Sequence, residues 1–203
     1  QFAMSSRDTI LSSIRRQTLE PTPRPTLDQN WIRFDDPTQH FETVLESVGG
    51  QCQRVADLAA VQAALESVEQ FSSATVRYST IPGIGSPTIH DDDIDDPHQL
   101  ETVDFAVLSG HFAVAENGAV WVTDENLKHR VPYFLSQHLA LIVPATEVVH
   151  NLHEAYRRSE LKFDSARFGV FISGPSKTAD IEQSLVIGAH GPRSHIVFLV
   201  DQL

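Results

Sequence analysis

The apolar residues of the chain follow two spacings, one typical of helices and one typical of strands. Apolar residues three and four positions apart predict helices from Ser5, over residues 38–48, 57–68 and 146–158, and from about Thr178. Apolar runs predict strands just before residue 57 and over residues 74–78, 104–108, 138–143, 168–173 and 196–200. Because strands alternate with helices, the predicted fold class is α/β, with a three-layer, mostly parallel sheet and helices on both faces.

A predicted β-hairpin interrupts this alternation. Apolar residues over 112–115 and 119–123 flank Asn117 and Gly118, a dipeptide that readily adopts positive φ in a two-residue turn. Glu116 precedes the turn and shares a face with the apolar residues of the first strand, by the two-residue period of strands. Such a carboxylate suits proton transfer or nucleophilic attack on an acyl group. The structural alternative is a solvent-facing residue at the end of a hairpin.

A proline-rich segment separates the N-terminal part of the sequence from the rest. A helix capped by Ser5 precedes residues 21–25, where three prolines exclude a helix and indicate an extended linker. We therefore divide the chain into an arm of helix and linker, residues 1–37, and a folded domain, residues 38–203. The apolar face of the arm needs a surface to pack on, and a homodimer formed through the arm would supply one.

Turn formers and hydroxyl-bearing residues follow the predicted strand over 168–173. Gly174 and Pro175 break the strand, and the next three residues offer two hydroxyls and an ammonium near backbone N–H groups. Ligands of α/β folds bind at strand ends. We therefore predict a binding site for a neutral or weakly anionic ligand. Its predicted ligand-binding residues are Gly174, Ser176, Lys177, Thr178 and Asp180.

The same segment also has a purely structural interpretation. Ser176 and Thr178 are typical helix caps, and Asp180 and Glu182 would complement the dipole of a first helical turn. Nucleotide hydrolysis by a P-loop is disfavoured, because Pro175 stands where that motif requires lysine and lacks an N–H group.

A histidine between two glycines marks a second open turn near the C-terminal strand. His190 can act there as a general acid or base, or bind an anion together with Arg193. A turn histidine bonded to the backbone is the structural alternative. Our predicted catalytic residues are Glu116 and His190, and the predicted ligand-binding residues also include Asn117, Gly118 and Arg193.

Composition excludes several classes of partner and cofactor. The formal net charge of −12 repels a nucleic acid backbone, and no lysine or arginine stripe offsets it. The apolar runs are too short for a membrane helix. Cys52 is the single cysteine, so this chain cannot hold an iron–sulfur cluster or zinc with cysteines alone. The acidic loop over residues 90–98 lacks the glycine and terminal glutamate of an EF-hand, which leaves a solvated loop or a weak Ca²⁺ or Mg²⁺ site.

Three segments of the sequence resemble a known family. Residues 113–118, 172–182 and 188–192 resemble the LUD (lactate utilisation) domain. The length of the chain and its lack of cysteine clusters are similar to those of the LutC (YkgG) branch of that family. The resemblance covers about residues 41–203. It implies the NagB/RpiA/CoA transferase-like sheet, which ribose-phosphate isomerases, glucosamine-phosphate deaminases and CoA transferases share.

The resemblance also implies a function. We expect a cytoplasmic accessory component of L-lactate utilisation, the oxidation of L-lactate to pyruvate. Its expected partners are iron–sulfur proteins similar to LutA and LutB, which would carry the clusters while this chain binds no cofactor itself. The alternative is a free-standing enzyme on an acyl-CoA, a sugar phosphate or a small carboxylate, with Glu116 as nucleophile or base and Lys177 and His190 holding the anion.

Overall fold

The computed structural model describes residues 5–17, 22–27, 29–158, 168–178 and 184–203. The chain divides into two compact units, residues 1–30 and 31–203. In the first unit, helix α1 (Ser6–Arg16) begins where the Ser5 hydroxyl accepts a hydrogen bond from the Asp8 N–H group. The sequence predicts this helix and its cap. Residues 31–37, predicted as part of the arm, belong to the second unit, and the homodimer stays a prediction.

A five-stranded parallel sheet forms the centre of the second unit. Its strands are β1 (Gln51–Asp57), β2 (Arg77–Ser79), β3 (Phe105–Ser109), β6 (His138–Pro144) and β11 (Ser194–Gln202), in the order β1-β11-β6-β3-β2. Ser194 lies opposite His138, so β6 and β11 begin at the same edge of the sheet. We call this edge the amino edge.

A second, four-stranded sheet packs against the central one. It contains β4 (Phe112–Val114), β5 (Ala119–Thr123), β7 (Val148–Val149) and β8 (Gly169–Ile172), in the order β7-β4-β5-β8. The pairs β4–β5 and β5–β8 are antiparallel, whereas β4 and β7 are parallel. A separate two-stranded ladder joins β9 (Lys177–Thr178) to β10 (Val186–Ile187).

Helices cover both faces of the central sheet, as the sequence predicts. On one face, α3 (Leu58–Glu66) and α4 (Glu69–Ser72) share an apolar cluster with β3, β6 and β11. Within it, Phe71 meets Phe105 edge to face, with 5.2 Å between ring centroids. On the other face, α2 (Pro37–Ser47) and the second sheet together form a larger buried cluster. Helix α6 (Leu152–Arg157) covers the outer face of the second sheet.

The predicted helix over 146–158 is wrong in its N-terminal half. The β-branched pair Val148–Val149 forms strand β7 beside β4, since the Ala115 N–H group donates to the Val149 carbonyl at 2.9 Å. The helix cap is therefore Asn151 instead of Thr146, and its side chain accepts from the Glu154 N–H group at 3.0 Å.

The predicted hairpin is present, but its turn is longer than two residues. Val114 pairs with Ala119, which leaves residues 115–118 in the turn, and Gly118 alone of the predicted dipeptide has a positive φ, 64°. The Asn117 side chain accepts a hydrogen bond from the Ala119 N–H group at 3.2 Å. A Cβ atom on Gly118 would lie 2.9 Å from the backbone nitrogen of Leu45, so the turn packs directly on α2.

Candidate functional site

Two joined hollows form a cleft at the amino edge of the central sheet. Their volumes are about 240 Å³ and about 350 Å³, and both are lined by Phe134, His190 and Gly191. Three chain segments form the walls: residues 173–176 after β8, residues 188–193 before β11, and residues 133–137 before β6. We call this feature the bend cleft.

Close backbone packing holds the first wall in place. Strand β8 ends at Ile172, and Gly174 follows with a φ of 68°. A Cβ atom on Gly174 would lie 2.7 Å from the carbonyl oxygen of Val48 at the end of α2, so only glycine fits there. The Ser176 N–H group donates to the Pro192 carbonyl at 2.9 Å, which ties this wall to the second.

The second wall positions Arg193. Its N–H group donates to the Gln137 carbonyl at 2.7 Å, across the starts of β11 and β6. Its side chain lies against Gly188, where a Cβ atom would be only 2.3 Å from the Arg193 Cγ atom. Gly188 therefore leaves the space that the arginine stem occupies, and its φ of 74° also favours glycine.

The third wall contains residues that sequence reasoning missed. Helix α5 (Pro132–Leu135) exposes 37% of Phe134, and the buried Ser136 hydroxyl donates to the Pro132 carbonyl at 2.8 Å. The proline that begins α5 was a visible signal for a break in the chain. The proximity of Gln137 to Arg193 was not visible, because it depends on β6 and β11 being neighbours.

The charge of the bend cleft is positive. Its described lining residues include Arg193 but no aspartate or glutamate. Within the described part of the chain, no ion pair or hydrogen bond engages the Arg193 guanidinium. Burial lowers the pKa of His138 at the start of β6, the charge of Arg193 lowers it further, and Asp104 opposes them.

The hairpin tip lies next to the first wall but outside the cleft lining. The Ser173 hydroxyl donates to the Asn117 carbonyl at 2.7 Å, so the tip and the wall touch. Glu116 is exposed, and its carboxylate accepts a hydrogen bond from the Leu152 N–H group at 2.9 Å. This bond satisfies the start of α6 and favours the negative charge at a helix N-terminus.

The other predicted binding residues are distributed over separate places. The Lys177 ammonium donates to the Val48 carbonyl at the end of α2, a position that suits a cation. Thr178 lies in β9 opposite Val186, so the predicted helix does not begin there. Asp180 and Glu182 lie outside the described residues. The structure thus brings together Gly174, Ser176, His190 and Arg193 in the bend cleft.

The acidic loop over residues 90–98 uses several of its oxygens within the protein. Asp91 accepts hydrogen bonds from the Tyr78 hydroxyl at 2.7 Å and from the Lys128 N–H group at 2.6 Å. The Lys128 ammonium also pairs with Asp95 at 3.1 Å. Across the described ranges, no group of three or more His, Cys, Asp or Glu side chains is arranged to hold a metal ion. None of the helices described is long and apolar enough to cross a membrane.

One buried histidine has no role that the sequence suggested. His195 lies in β11 with 1% of its surface exposed, and neither ring nitrogen has a hydrogen-bond partner among the described residues. Burial lowers the pKa of His195 to about 4. The ring therefore stays neutral at physiological pH.

Comparison with known proteins identifies the family. Residues 38–200 match the LUD domain. The chain belongs to the LUD domain family. This match includes the central sheet, most of the second unit and the whole bend cleft, and it confirms the resemblance seen in the sequence.

Relatives of this LUD domain protein carry a common name. Proteins named lactate utilization protein C are 34% identical over 106 residues in Shouchella clausii and 34% identical over 98 residues in Halalkalibacterium halodurans. The aligned regions cover 51% and 46% of this chain, and 46% and 43% of those proteins. The chain thus matches somewhat less than half the length of these relatives.

A solved structure shares the fold. A DUF162 family protein from Deinococcus radiodurans superimposes with a TM-score of 0.58 over 81% of this chain and 96% of that one. The two sequences are 16% identical, so the likeness concerns the fold. It agrees with the α/β architecture described above.

Proposed function

We propose that this LUD domain protein takes part in lactate utilization, as an accessory component of the oxidation of L-lactate to pyruvate. The observation that carries the proposal is the match of residues 38–200 to the LUD domain, together with relatives named lactate utilization protein C. In the proposed role the protein acts in the cytoplasm with iron–sulfur partner proteins.

The chemistry of the reaction supports the assignment of the redox step to partners. Oxidation of L-lactate to pyruvate removes two electrons and two protons, and side chains alone do not accept a hydride. Iron–sulfur clusters need several cysteine thiolates, and this chain has one cysteine. Burial, reinforced by the charges of Glu42 and Glu46, raises the pKa of Cys52 to about 12, so its thiol stays protonated.

The geometry gives less support to the free-standing enzyme. That alternative needs Glu116, Lys177 and His190 to converge on one cleft. In the structure, Glu116 binds the start of α6, Lys177 binds the end of α2, and His190 lines the bend cleft. A role in ligand binding or partner docking fits this distribution better than covalent catalysis by Glu116.

The test is a reconstituted lactate oxidation assay. Candidate iron–sulfur partner proteins are purified, and L-lactate-dependent reduction of an electron-accepting dye is measured with and without this chain. We expect dye reduction to depend on the chain, and D-lactate serves as the substrate control. Equal rates with and without the chain, together with normal growth on lactate of a strain that lacks its gene, would overturn the proposal.

A further inference from the structure

We propose that the bend cleft is a binding site for a small carboxylate, with Arg193 as the residue that binds the carboxylate group. The inference rests on the proposed function, since L-lactate and pyruvate are small carboxylates, and it assigns them a place on this chain. His190, three residues earlier in the same loop, would supply a second donor.

The first argument is charge. The whole chain has a formal net charge of −12, yet the described lining of the bend cleft contains no acidic side chain. Arg193 therefore places a positive charge in a locally favourable setting for an anion, and the His190 ring offers an N–H group that can donate to it. An unpaired guanidinium presents a planar fork of N–H groups that matches a carboxylate with two parallel hydrogen bonds.

The second argument is positioning. The backbone of Arg193 is fixed by its bond to Gln137, and its stem lies in the space left by Gly188. An arginine on a mobile surface loop would lose much conformational entropy on binding, whereas this one is already partly ordered. Because Gln137 directly precedes His138, this bond places Arg193 beside the start of β6.

The third argument is the chemistry of the remaining walls. Phe134, Ile172 and Pro175 give the smaller hollow an apolar surface, and Ser176 adds a hydroxyl. Arg193 lines the adjoining larger hollow, which shares Phe134 and His190 with the smaller one. An apolar wall beside one or two fixed polar groups is typical of small-molecule sites. It suits the short alkyl end of a small carboxylate, whereas a phosphate dianion has no apolar part to contact this wall.

Calorimetric titration of the purified chain tests the proposal. The ligands are L-lactate, pyruvate and inorganic phosphate, and the variants are Arg193→Gln and Gly188→Ala. We expect the wild type to bind at least one of the two carboxylates more tightly than phosphate, and both variants to bind it at least about tenfold more weakly. Gly188→Ala keeps the arginine but displaces its stem, so it separates positioning from charge.

A matched control removes the same charge elsewhere. Arg54 in β1 forms an exposed ion pair with Asp201 at 2.8 Å and does not line the bend cleft, so Arg54→Gln should bind like the wild type. Urea unfolding of each variant checks that the fold persists. His190→Ala should weaken binding several-fold, because it removes the ring N–H donor.

Distinct results would overturn the site and the proposed function. Absence of carboxylate binding by the wild type, equal affinity of wild type and Arg193→Gln, or preference for phosphate would each end the carboxylate proposal. Because the titration uses the chain without partners, these results leave the lactate oxidation assay unaffected. Conversely, Arg193-dependent binding combined with dye reduction that does not need the chain would retain the site and remove the proposed role.

Discussion

The neutral, buried ring of His195 should make the stability of the protein depend on pH. Its pKa is about 4 in the folded state, against an ordinary value near 6.5 in the unfolded chain. Between these values the unfolded chain binds a proton that the folded chain does not. His195 therefore leaves the free energy of unfolding unchanged above about pH 6.5 and lowers it progressively as the pH falls towards 4.

The two pKa values give the size of this effect. Each pH unit between the unfolded pKa near 6.5 and the experimental pH contributes about 1.36 kcal/mol, as long as that pH stays above the folded pKa of about 4. At pH 5 the unfolded state is therefore stabilised by about 2 kcal/mol relative to pH 8. Replacing His195 by leucine removes the titrating group and keeps an apolar side chain in the strand. Wild type and His195→Leu should then differ in their pH dependence by this amount.

Urea unfolding at pH 8 and pH 5, followed by the fluorescence of Trp31 and Trp121, measures the effect. The free energy of unfolding of the wild type should fall by about 2 kcal/mol more than that of His195→Leu. The exposed His90→Gln serves as the control and should follow the wild type. Equal losses in wild type and His195→Leu would refute the reasoning, because the buried ring would then accept a proton without cost.

Two substitutions and one reactivity measurement test further features of the second unit. Gly118→Ala should lower the free energy of unfolding by about 1–3 kcal/mol, because its positive φ and its 2.9 Å approach to Leu45 exclude a Cβ atom; an unchanged urea midpoint would contradict this. Cys52 should react with a thiol reagent much more slowly in the folded protein than in urea, because its side chain is half-buried and this burial raises its pKa to about 12. Equal reaction rates in both conditions would show that the folded protein exposes a reactive thiolate. Glu116→Gln should cost about 0.3–1 kcal/mol by removing a negative charge at the start of α6, without loss of carboxylate affinity; a large loss of affinity would place Glu116 in the site.

Local patterns were sufficient for much of the fold. Asp57 caps α3 through a 2.8 Å hydrogen bond to the Ala60 N–H group, and cap and helix both follow from neighbouring residues. The same holds for β3, β6 and β11, whose apolar runs are continuous. Strand β7 was missed because Val148 and Val149 are strand residues only through their pairing with β4, more than thirty residues earlier in the chain.

Local sequence patterns also predicted part of the candidate site. The glycines and polar residues after β8 and before β11 indicated two walls of the bend cleft, and the structure brings them together through Ser176 and Pro192. The third wall and the separate position of Glu116 depend on strand order and on the packing of α6. Neither follows from spacing along the sequence.

The place of β11 in the central sheet has a consequence during protein synthesis. This strand comes after all the others in the sequence, yet it lies between β1 and β6 and is the link that joins them. A nascent chain on the ribosome therefore exposes unpaired edges of both strands until β11 emerges. Such late, long-range closure slows folding and leaves apolar strands open to aggregation, so chaperones that shield nascent chains should raise the yield of this protein.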